Sequence, residues 1–179
     1  MRRATLMAGL LVSAILVAGI RADEPRKQGD NSKELSAAFE RLKKLAGEWE
    51  PTNATDQAPK GKVSNRYQLT AGGSAVLETI FPGQDMEMVS VYYKEGDQLL
   101  MTHYCCMGNQ PKFRARIGDS KDELVFDFAG GGNLDPAKDA HIHNGRVRFV
   151  DADHIHSEWE MYVDGKPGEK HGFDLIRKK

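Results

Sequence analysis

The sequence predicts a mainly β fold: a single antiparallel up-and-down β-barrel of about 8–10 strands behind one short N-terminal helix. Three observations carry this. Only one stretch, near the start, repeats apolar residues at helical spacing. After Gly47 the period drops to two, and about ten short runs follow, parted by turn residues. No helix-length segment interrupts those runs, which excludes parallel βαβ units. A long antiparallel meander leaves unpaired edges, and closure into a barrel removes them. An open sandwich is the alternative.

The helix is expected over Ser32–Ala46. Leu35, Phe39, Leu42 and Leu45 form one stripe. Asn31 with Glu34 three residues on resembles a capping box, and Gly47 is a natural stop. Strands are expected at Glu48–Thr52, Val63–Leu69, Ala75–Phe81, Met86–Lys94 and Gln98–Cys106. They continue at Lys112–Ile117, Glu123–Ala129, His141–His143, Arg146–Val150, His154–Val163 and Glu169–Arg177. Pro82-Gly83, Glu95-Gly96-Asp97, Asn144-Gly145 and Asp164-Gly165 read as turns. Gly130–Ala140, with three glycines and Pro136, reads as a loop.

The first residues belong to targeting, not to the fold. Arg2 and Arg3 make a basic start, Leu6–Ile20 is an uncharged, mostly apolar run, and Ala22 precedes the acidic Asp23-Glu24. That is a secretory signal peptide over residues 1–22, with cleavage expected after Ala22 and a periplasmic or secreted protein as the result. The run is shorter than the roughly 20 residues a spanning helix needs, so no stable membrane insertion is expected after cleavage. Residues 23–31 read as a flexible leader and 32–179 as the barrel domain. Cleavage leaves about 157 residues, with 22 basic against 26 acidic side chains, a net charge of about −4. No basic block stands out, which excludes nucleic acid as an expected partner. Composition leaves the oligomeric state open.

The chain's two cysteines, Cys105 and Cys106, are adjacent. Neighbouring strand residues point to opposite faces, so two small free thiols are expected rather than a bridge. They sit in Thr102-His103-Tyr104-Cys105-Cys106-Met107-Gly108-Asn109-Gln110-Pro111, where a strand breaks into a loop rich in thiol, imidazole and amide groups. On the candidate ligand-binding face are His103 and Cys105, which share strand parity. Asn109 and Gln110 would stand at the barrel mouth. The His141-x-His143 pair would add two further polar contacts.

Gly47-Glu48-Trp49, following a short helix and opening the first strand, is similar to the start of lipocalin-like, or calycin, barrels. The resemblance implies that a basic residue of the last strand, here Arg177, packs over Trp49 and plugs one end, a cation–π contact. Gly47, Trp49 and Arg177 are then structural. The stretch Leu100–Pro111, with Gly131–Asp135, His141–His143 and Glu158-Trp159, resembles an uncharacterised family of secreted bacterial proteins over about Leu42–Arg177. That resemblance implies fold and compartment, not chemistry.

Function follows in three readings. The favoured one is a barrel binding a small, largely apolar ligand in its cavity. The second is a metal- or haem-dependent histidine site. His154-x-His156-x-x-x-Glu160 resembles the first metal motif of cupins, although the stretch after Glu160 is too short to hold the second motif. No cofactor is favoured. The third is a ligand-free structural or interaction module. No Gly-x-Ser-x-Gly or His-Glu-x-x-His is present, and the balance is against an enzyme, with no catalytic residue assigned.

Overall fold

The computed structural model describes residues 28–55 and 58–179. The expected signal peptide and most of the expected leader lie outside the described residues. Helix α1 spans Gln28–Lys43. It is followed by β1 (Gly47–Pro51), β2 (Asn65–Thr70), β3 (Ala75–Ile80), β4 (Met88–Glu95) and β5 (Gln98–Tyr104). Then come β6 (Gln110–Ile117), β7 (Glu123–Gly132), β8 (His141–Phe149), β9 (His154–Val163) and β10 (Lys166–Arg177). Each strand pairs antiparallel with its sequence neighbour, and β1 pairs with β10, so ten strands close into a barrel. Closure satisfies every edge, which a sandwich would not.

The helix forms where its stripe predicts. Leu35, Phe39, Leu42 and Leu45 are all buried. It starts at Gln28, so Asn31 lies inside it and is not its cap. It stops at Lys43, before Gly47, because Lys44, Leu45 and Ala46 donate to carbonyls three residues back and tighten the last turn. Lys94 donates to Ser36, Asp97 accepts from Ser32, and Arg41 pairs with Asp122. These contacts set α1 across the β4–β5 and β6–β7 turns, closing that end of the barrel. The opposite end carries the β3–β4, β5–β6 and β7–β8 loops and stays open.

The helix-covered end is locked by three residues from the two ends of the sheet. Trp49 and Arg177 are register partners across β1 and β10. Trp49 is fully buried and donates its indole N–H to Leu45 O at 2.8 Å. The Arg177 guanidinium lies 4.6 Å from the Trp49 ring centroid. It also donates to the carbonyls of Ala46 and Lys44 at 2.8 and 2.9 Å and to Asp153 at 2.7 Å. Those carbonyls lie in the turn that leads from α1 to β1, so one guanidinium both ties that turn down and covers Trp49. Gly47 has φ +133, and a Cβ there would stand 3.1 Å from the Arg177 Nη1. Glycine is required at this place for both reasons.

One expected turn is absent. His141–His143 and Arg146–Val150 belong to a single strand, β8, with Asn144-Gly145 in its middle. Neither residue has the positive φ a type I′ turn needs, whereas Asp164 and Gly165 both do, at 51 and 69. Gly145 serves packing instead. It faces Trp159 of β9, and a Cβ would fall 2.0 Å from Cε3 of the indole. Asn144 donates to Glu160 across the same pair at 3.1 Å. The expected loop at Gly130 also begins later, since β7 runs to Gly132.

Candidate functional site

The barrel interior holds a cavity of about 510 Å³ on the side away from α1. Its apolar wall is built by Ile80, Phe81, Met88, Met101, Trp159 and Phe173. Cys105, Cys106, Met107, Lys170 and His171 reach it from the mouth. A row of polar side chains crosses the sheet at its floor, and three of them, Glu78, Ser90 and His103, line the cavity. Tyr67, Glu78, Ser90 and His103 are successive register partners on β2, β3, β4 and β5. All four are buried, because at these positions their strands turn the same pleat inward.

Glu78 anchors the row. Its Oε1 accepts from Asn65 Nδ2 and Tyr67 Oη, and its Oε2 from Tyr92 Oη, each at 2.6 Å. Burial pushes its carboxyl above the ordinary carboxylate range, and the three donors pull back against that. Burial, reinforced by the Glu78 charge, holds both tyrosines well above the usual phenol range, so they stay protonated donors. Ser90 continues the row from Glu78 towards β5. Its Oγ stands 2.9 Å from His103 Nδ1. Burial alone lowers the His103 pKa to about 4. Nε2 is buried and has no partner.

The mouth departs from simple alternation. β5 ends at Tyr104, and a turn follows in which Cys105 N–H donates to Asn109 O and Gly108 N–H to Cys105 O. Cys106 therefore does not point away from Cys105; both line the cavity. Both are free thiols, Cys105 half-buried and Cys106 exposed. Burial pushes the Cys105 thiol up. Its Sγ lies 3.9 Å from Met88 Sδ.

Among the sequence candidates, His103 and Cys105 thus stand on the cavity, and four others stand elsewhere. Asn109 is buried and donates to Ala140 O at 2.9 Å, tying the β5–β6 and β7–β8 loops together. Gln110 folds back on Gly108 O and lies over Gly132. His141 is fully buried between Asp139 O and His143 Nδ1, at 2.8 and 3.0 Å. His143 stacks on Tyr162 at 3.8 Å and on Phe128 at 4.5 Å. These two imidazoles form an aromatic cluster, not a cavity wall.

The cupin-like spacing does not assemble either. His156 Nδ1 pairs with Asp174 at 2.8 Å and His154 lies 3.7 Å from the same carboxylate. Glu160 faces Asn144 and Lys170 instead. Among the described residues, no three His, Cys, Asp or Glu side chains converge as a metal set. The sequence alone does not single out Asn65, Tyr67, Glu78, Ser90 or Tyr92. The signal it offers is Glu78, which shares parity with Val76 and Ile80 on an otherwise apolar face.

Fold and site together define a closed ten-stranded antiparallel barrel, plugged at one end, with a cavity open at the other. No family model and no curated protein matches this chain.

Proposed function

We propose that this protein is a calycin-like carrier that binds one small, largely apolar ligand inside its barrel, outside the cytoplasm. The carrying observation is the cavity of about 510 Å³, walled by methionines and aromatics, with the buried polar side chains Asn65, Glu78, Ser90, His103 and Ser157 in its lining. The Gly47–Trp49–Arg177 plug supports the calycin relationship, and the N-terminal targeting signal supports the compartment. The floor also selects a charge. Glu78 is buried there, and no Lys or Arg is buried among the described residues; Lys170 stands exposed at the mouth. An anionic group at the floor would meet a carboxylate with no cation to offset it. The ligand is therefore neutral at its inner end, with a polar group over Asn65, Glu78, Ser90 and Ser157.

The test is displacement of the neutral fluorophore N-phenyl-1-naphthylamine, together with native mass spectrometry for a co-purifying molecule. Saturable binding at one site is expected, with its loss in Ile142→Trp, which fills the cavity from its wall. Folded protein that never enhances the fluorophore would sink the reading in favour of a ligand-free module.

A further inference from the structure

The sulfur atoms of this chain are not scattered. Beyond the leader it has five methionines, Met86, Met88, Met101, Met107 and Met161, and two cysteines. All seven line this cavity, and no Leu or Val does. An apolar ligand accounts for an apolar wall but not for this choice, since Leu and Val fill space as well. Met86 and Met107 are nearly half exposed at the mouth, where a thioether adds little to packing and faces whatever enters.

We propose that Cys105 Sγ, Met88 Sδ and His103 Nε2 form a binding site for copper(I). The two sulfurs already stand 3.9 Å apart. With metal–sulfur bonds of about 2.3 Å, two ligands at tetrahedral or trigonal angles lie about 3.8–4.0 Å from each other. The third donor is the one imidazole nitrogen on the cavity that is buried and unpartnered. Thiolate and thioether donors select copper(I) over harder divalent ions. On binding, the Cys105 thiol loses its proton to solvent as the copper–sulfur bond forms, and the metal stays monovalent. Met86 and Met107 give the ion a soft path inward. This site does not rest on the apolar-ligand reading, although it shares the cavity.

The experiment is anaerobic titration of the full mature chain with copper(I) against bicinchoninate, with zinc(II) as a parallel arm. One copper(I) per chain is expected, with X-ray absorption showing two sulfurs and one nitrogen. Cys105→Ser should weaken affinity by about 100-fold and the volume-conserving Met88→Leu by about tenfold. Circular dichroism melting of each metal-free variant confirms that it is folded. Three results each overturn the proposal. One is no stoichiometric copper(I). Another is zinc(II) held as tightly. The third is copper lost in Cys106→Ser but kept in Cys105→Ser. The naphthylamine assay on the same samples keeps the two readings apart: copper failing while the fluorophore binds removes only the metal site.

Discussion

Gly145→Ala tests whether Trp159 is held where the strand register puts it. The added Cβ would stand 2.0 Å from Cε3 and 2.2 Å from Cζ3 of the indole. An ordinary contact begins at 3.4 Å, so the ring must move by more than the length of a C–H bond to recover one. Two directions are blocked, by Phe113 at 6.1 Å and Phe126 at 5.7 Å between ring centroids. The open direction is the cavity, which Trp159 lines. Overpacking of this kind costs about 1–3 kcal/mol. Replacing a strand glycine by alanine returns about 0.5–1 kcal/mol. A net loss of about 1–2 kcal/mol is expected, read from the urea midpoint at unchanged slope, and the displaced ring should lower naphthylamine affinity. In a Trp159→Ala background the same substitution should be neutral or stabilising. Equal effects in both backgrounds would refute the argument, because they would mean that alanine and indole never meet.

The remaining predictions concern closure and acid. Trp49→Ala should cost about 3–5 kcal/mol, since the ring is fully buried. Arg177→Ala should cost less, and the double variant should fall short of the sum; additivity would separate the two residues energetically. In acid, His103 and Glu78 oppose one another. The metal-free fold holds His103 neutral down to about pH 4, while the unfolded imidazole takes a proton near 6.5. The stability this represents is whole above pH 6.5 and is lost between 6.5 and about 4, by about 3 kcal/mol. Glu78, with its pKa raised, recovers stability as it takes up a proton, so it reduces the loss. Denaturation midpoints measured from about pH 7 to 4 should fall more steeply for wild type than for His103→Gln; parallel curves would contradict the burial argument.

What can be read from sequence is what depends on near neighbours. The α1 stripe needs only residues three and four apart, and strand alternation only residues two apart. The Trp49–Arg177 contact is also legible, through resemblance. The cavity floor is not. Tyr67, Glu78, Ser90 and His103 meet only through the register of four strands, and no local period encodes register. Glu78 on the Val76–Ile80 face is the visible clue, because a carboxylate among inward-facing residues must find donors. Asn144-Gly145 misleads for a related reason. The pair is a turn signal by composition, but here the glycine leaves room for the Trp159 indole on the neighbouring strand, and the chain runs straight through. Parity fails at Cys106 because the strand has already ended, at Tyr104.

The lock between Arg177 and the carbonyls of Lys44 and Ala46 joins residues 131 and 133 positions apart. Until β10 has left the ribosome, β1 has no partner on one edge, Trp49 has no cover and the cavity has no rear wall. The barrel is therefore a fold that cannot be completed in stages. The meeting of first and last strands carries the loop-closure entropy of so distant a pairing. For the exported protein proposed above, this delay is useful. Were the chain exported as proposed, it would leave synthesis still open, in the extended state that export machinery accepts, and would acquire its interior only once all of it was on the same side of the membrane.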